Sequence, residues 1–185
     1  LDNALLDKVR KTLQSEYYSR GRYNARVMID VIPGSQNRVE VKIIISEGQT
    51  ALIQDIEIIG NHAFSRRKLI KQIPINTSHW WSFFTHGDQY SRQKLTESVE
   101  ALQKFYLNYG YVHFHVDSAQ VKLTPDKKNV FIVIHITEGA RYTFSGYRLL
   151  GDLIVPEKCL REAIKLKSGA IYSKAQVEEA TQAIK

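Results

Sequence analysis

The chain repeats itself, and the length of the repeat limits what it can fold into. Shifted by 89 residues, Leu13-Gln14 falls on Leu102-Gln103, Tyr17 on Tyr106 and Gly21 on Gly110. Shifted by 91, Glu47-Gly48 falls on Glu138-Gly139 and Gly60-Asn61 on Gly151-Asp152. Shifted by 82, Tyr90-Ser91 falls on Tyr172-Ser173. A period of about 80–90 residues exceeds that of the solenoid repeats. It describes a small domain copied in tandem, with loops of varying length between constant elements.

One copy is complete, over 50–139. It opens with a short apolar strand (Ile53, Ile56, Ile58, Ile59) that ends at Gly60-Asn61. Ser65 then stands where a helix needs an oxygen acceptor for its first free N–H groups. The spacing predicts a helix through Leu69, Ile70 and Ile73 that stops at Pro74. An aromatic loop follows, Trp80-Trp81-Ser82-Phe83-Phe84. It reads as packing beneath the loop before it reads as a partner or membrane anchor. Ser91 is a second N-cap, and Leu95, Val99, Leu102 and Tyr106 form one apolar stripe on a longer helix ended by Gly110.

Two strands close the unit. Val112, Phe114 and Val116 alternate with His113, His115 and Asp117, which predicts a half-buried strand over 111–123. After the Pro125-Asp126 turn, Val130 to Ile136 is apolar at almost every position. A strand flanked on both sides tolerates that pattern, whereas an edge strand does not. The last strand is therefore expected to be central and the one before it an edge. The fold class is α+β, in tandem β-α-α-β-β units.

The flanking copies are partial. Residues 1–49 carry the second half of a unit: a helix with Leu6, Val9, Leu13 and Tyr17, then strands near 25–32 and 39–46. Residues 140–185 carry the first half: a strand around Phe144, Tyr147, Leu149 and Leu150, a helix near 156–165, and a second helix starting at Ser173. The chain therefore reads as a piece of a longer protein.

Little here supports catalysis. No GxSxG, P-loop, HExxH or GxGxxG stands in the context its chemistry needs. The single cysteine, Cys159, leaves no multi-cysteine metal site. His113, His115 and His135 share a strand parity that would admit a metal, but no convincing further ligand completes the set, so neither metal nor cofactor is assigned. Net charge is +7, from 26 Lys+Arg against 19 Asp+Glu. The basic side chains are spread among acidic ones rather than gathered on one stretch. A nucleic-acid-binding α/β module is thus the weaker alternative, and no nucleic-acid partner is assigned. The predicted edge strand offers something else: unpaired N–H and C=O groups that an extended polypeptide can complete. Tyr111, Val112, His113, Phe114, His115, Val116 and Asp117 are the candidate partner-binding residues. Ile73 and Ile75 would add an exposed apolar rim.

These features together resemble a known family. The β-α-α-β-β order, the Gly-Tyr step that ends a helix (Gly110-Tyr111, and Gly21-Arg22-Tyr23), the apolar strand running into Glu-Gly, and Ile-x-x-Ile-x-Ile-x-Gly-Asn from Ile53 to Asn61 are similar to polypeptide-transport-associated, or POTRA, domains. His62-Ala63-Phe64, the Trp80-Trp81 pair and Leu123 to Lys128 bring the chain nearest to the second, third and fourth such domains of Gram-negative outer-membrane assembly factors. Two-partner secretion transporters carry fewer units. The resemblance implies two helices packed on a three-stranded mixed sheet. It also implies a periplasmic position ahead of an outer-membrane β-barrel. The implied work is non-enzymatic: binding unfolded outer-membrane proteins and accessory lipoproteins by strand augmentation.

Overall fold

A computed structural model describes residues 3–36, 38–75, 77, 88–151 and 154–183. In chain order the elements are α1 (Asn3–Ser19), β1 (Arg26–Pro33), β2 (Val39–Ser46), β3 (Leu52–Ile59), α2 (Arg66–Ile70), α3 (Arg92–Asn108), β4 (His115–Leu123), β5 (Asn129–Thr137), α4 (Glu157–Ala163) and α5 (Lys174–Gln182). No helix among the described residues is long and apolar enough to cross a membrane. The Trp80–Phe84 loop lies outside the described residues.

The chain folds into two compact units. One gathers Leu1–Glu57, Ile73–Ser98 and Gln120–Val133; the other gathers Ile58–Gln72, Val99–Ala119 and Ile134–Lys185. Strands β3, β4 and β5 each run through both. They form a three-stranded sheet in the order β3-β5-β4, so β5 is central and β4 lies at an edge, as the apolar pattern predicts. The sheet is mixed. Leu52 at the start of β3 donates to the Lys128 carbonyl just ahead of β5, and Gly60 after β3 lies against Ile136 near the end of β5, so these strands run parallel.

The first unit contains the partial copy at the N-terminus. β1 and β2 pair antiparallel from Arg26↔Ser46 to Pro33↔Val39. This register sets Val27, Ile29 and Val31 opposite Ile45, Ile43 and Val41, an apolar ladder on one face. That unit also buries Ala51, Ile53, Ile56, Ile75 and Val130 completely.

The second unit holds the other half of the sheet and most of the two helices of the complete copy. Ser65 caps α2, its hydroxyl accepting from the Lys68 N–H. The helix is shorter than the sequence predicts: it ends at Ile70, with Lys71 as its C-cap still in helical geometry, ahead of Pro74. On α3, Leu102 and Tyr106 are fully buried, as the stripe requires. In the third copy, α4 and α5 form where expected, with Ser173 capping α5. The strand expected around Phe144, Tyr147, Leu149 and Leu150 does not form; the only bridge there joins Thr143 to Ile171. In the complete copy β3 exists by pairing with β5. Phe144 exchanges backbone hydrogen bonds with Gly169 and Ala170 at 2.7 Å, but the described residues offer 145–150 no strand to pair with, so no ladder extends from it.

Candidate functional site

The free edge of β4 is set up by the end of α3. Gly110 adopts φ +90, the left-handed turn that terminates the helix. The Tyr111 N–H then reaches back to the Tyr106 carbonyl at 3.0 Å, Val112 bonds to Gly110, and Phe114 bonds to Tyr111 at 3.1 Å. Residues 111–114 are therefore a turn, and the strand starts at His115 rather than Tyr111. Alternation alone could not show this, since a turn can also bury every second side chain.

Buried side chains hold this turn. The Phe114 ring stacks on Tyr106, with centroids 4.1 Å apart and planes 7° apart. The Tyr106 hydroxyl donates to Glu138 Oε1 at 2.7 Å. The same carboxylate accepts the backbone N–H groups of His62 and Ala63 at 3.0 and 3.1 Å. Glu138 thus ties the end of β5, the loop after β3 and helix α3 to one point. Burial, followed by the hydrogen bond to Glu138, pushes the Tyr106 phenol far above its usual range. Phe64 sits edge-on to Tyr106, Phe105, Tyr109 and Tyr111, and the Lys68 ammonium lies 4.5 Å above the Phe64 ring. The repeat marked Tyr106 and Glu138 as matched positions; their contact appears only when the chain is folded.

Along β4 itself, side chains bond inward or along the strand. Asp117 accepts from the Thr137 hydroxyl at 2.9 Å, and His115 Nε2 lies 3.1 Å from Asp117. Ser118 Oγ and His135 Nδ1 are 3.2 Å apart. His115 Nδ1 turns to its neighbour's carbonyl, that of His113, at 3.0 Å. The three histidines do not converge, and no group of three metal-ligating side chains exists among the described residues.

Backbone bonding separates the two edges of the sheet. At β3, the chain's own segment 88–90 covers the start of the strand: Ile53 donates to the Asp88 carbonyl at 2.8 Å, and Leu52 bridges to Gln89. At β4, no backbone hydrogen bond among the described residues reaches an element other than β5. Among the described residues, the outer edge of β4 carries no backbone hydrogen bond.

Two of the predicted site residues lie inside, although the sequence predicts them at the surface. Ile73 and Ile75 are core residues, 6% and 0% exposed, and form no apolar rim. They follow the short α2 into the interior, where burying their side chains outweighs any role at the surface. Phe114 is buried against Tyr106, as the apolar parity expects, whereas Val112 of the same parity is exposed because it lies in the turn. Val112, His113, His115 and Asp117 are exposed, while Tyr111 and Val116 are half-buried.

Comparison with known proteins gives a consistent result. A family model described as POTRA, surface antigen variable number repeat, matches residues 1–48 and 51–139. The chain is 32% identical over 177 residues to the outer membrane protein assembly factor BamA of Neisseria meningitidis serogroup B, covering 95% of this chain and 22% of that protein. It is 30% identical over 178 residues to BamA of Buchnera aphidicola subsp. Acyrthosiphon pisum, covering 96% of this chain and 29% of that protein. The chain spans less than a third of the length of either relative. Among solved structures, the Haemophilus influenzae BamA POTRA3-5 crystal structure superposes with a TM-score of 0.56 at 19% identity, over 99% of this chain and 69% of that one. At that identity the likeness concerns the fold.

Proposed function

The chain belongs to the POTRA family, and on that premise we propose that it is part of the periplasmic scaffold of an outer-membrane protein assembly factor, receiving extended polypeptide along the outer edge of β4. Its units are 1–49, 50–139 and 140–185, the middle one complete. The partners are unfolded outer-membrane proteins and accessory lipoproteins, delivered toward a membrane β-barrel carried elsewhere in the full-length protein.

One observation carries this reading: among the described residues β4 has a single strand neighbour, while the opposite edge of the sheet is partly covered by its own chain. An added strand would gain backbone hydrogen bonds, each about 0.5–1.5 kcal/mol net. Such bonds ignore the guest's side chains, which suits a surface that meets many sequences. A few of them give weak, reversible capture, which suits a surface that must let its guest go.

Proline tests it. The N–H groups of adjacent strand residues point to opposite edges, so of His115→Pro and Val116→Pro one deletes an outward donor and the other a bond to β5. The outward change is expected to weaken binding of an unfolded outer-membrane β-strand peptide about 2–10-fold, the equivalent of one ladder bond, with the fold retained. The inward change should lower the unfolding midpoint. If peptide binding survives both variants in folded protein, strand addition at β4 is wrong.

A further inference from the structure

The two places where one repeat passes the chain to the next are built alike. Gly21 follows α1 and Gly110 follows α3, at φ +77 and +90. At the first, the Gly21 carbonyl accepts from Ala51 at 2.8 Å, the Ala51 carbonyl accepts from Tyr90 at 3.0 Å, and Ile53 donates to Asp88 at 2.8 Å. At the second, the Gly110 carbonyl accepts from Tyr142 at 2.7 Å, the Tyr142 carbonyl accepts from Tyr172 at 3.1 Å, and Phe144 donates to Ala170 at 2.7 Å. The paired positions are those related by the shifts of 89, 91 and 82 residues. Their side chains differ: Ala51 stands for Tyr142, Ile53 for Phe144, Asp88 for Ala170. The bonding pattern is kept where the residues are not.

The glycines are the exception, and space explains them. A Cβ on Gly21 would fall inside contact distance of the Tyr90 carbonyl oxygen. On Gly110 it would lie 2.7 Å from the Tyr142 carbonyl oxygen and 3.0 Å from Ile171. A helix-ending glycine needs only its left-handed φ. Gly169, in the turn between α4 and α5, has the left-handed φ alone: +81, with nothing within 4 Å of the missing Cβ.

We propose that Gly21 and Gly110 are positioning residues of one repeated joint. Each brings backbone to backbone at a separation that no side chain permits, and so pins the first residues of the next repeat between the helix end and the segment that precedes that repeat's second helix. The joint fastens successive repeats in a fixed register. This does not depend on strand capture at β4.

Residue-resolved amide hydrogen exchange on the whole chain tests the joint. Ala51, Tyr90, Tyr142 and Tyr172 are expected to be protected in the unaltered protein. Gly21→Ala should speed exchange at Ala51 and Tyr90 by about tenfold or more and leave Tyr142 and Tyr172 unchanged. Gly110→Ala should do the reverse. Gly169→Ala, strained but uncrowded, should spare all four. Tyr142→Pro keeps both glycines and deletes one N–H at an exposed side chain; it should speed exchange at Tyr172, which keeps the test informative should a glycine variant fail to fold. Fast exchange at Ala51 and Tyr142 in the unaltered chain, or unchanged exchange in the folded variants, overturns the proposal.

Discussion

A single pair of residue types, repeated in sequence, does different work in its two settings. Tyr106 and Glu138 meet in the interior, where the carboxylate also holds two backbone N–H groups. Tyr17 and Glu47, their repeat counterparts, meet at 3.3 Å on the surface, and Glu47 is shared with Arg22. Hydrogen bonds to a buried charge are the strong ones. Tyr106→Phe is therefore expected to cost about 1.5–3 kcal/mol in chemical unfolding, and Tyr17→Phe very little. Equal losses would show that the buried carboxylate is not the anchor. The phenol also sets a pH dependence. Its folded pKa is raised, so its contribution is complete below the ordinary tyrosine value near 10 and declines as pH climbs beyond it, where the unfolded chain ionises first. Unfolding midpoints measured across that alkaline range should fall more steeply for the unaltered protein than for Tyr106→Phe.

At the scale of elements, capping and periodicity were legible and ladder partners were not. Ser65 and Ser91 cap the helices they were expected to cap. The α3 stripe places Leu102 fully inside, so Leu102→Ala should destabilise by about 2–5 kcal/mol in denaturant titration; a loss within error would mean that this face is not the core face. Local signals suffice there because a helix satisfies its own backbone. A strand does not. Residues 144–150 have strand-like composition, yet beyond the Phe144 bonds to Gly169 and Ala170 they form no ladder. Residues 111–114 alternate correctly and yet form a turn, because Phe114 is drawn onto Tyr106 and the N–H groups find partners in the helix end.

Across the whole molecule, the cover that neighbouring elements provide decides how dry a strand is. Val130, Ile132, Ile134 and Ile136 of β5 are at most 5% exposed, whereas their counterparts Val39, Val41, Ile43 and Ile45 of β2 are 40–50% exposed. Among the described residues, 50–139 contribute two helices and three strands. The first copy contributes one helix, of which no residue is buried, and two strands. Amides of β2 are accordingly expected to exchange by local opening, well before those of β5, which should open only with the global transition. Matching protection in the two strands would contradict this.

The chain by itself determined the repeat, the order of elements, the helix caps and which strand is central, because each follows from spacing and from groups near one another along the chain. It also supplied the residues of the Glu138 anchor and the joint glycines, but not their work. Folding alone decided that Ile73 and Ile75 belong to the core, that Tyr106 reaches Glu138, that segment 88–90 covers the start of β3, and that two glycines press backbone against backbone. These are contacts between residues far apart in sequence, and their energies exist only once the chain has brought them together.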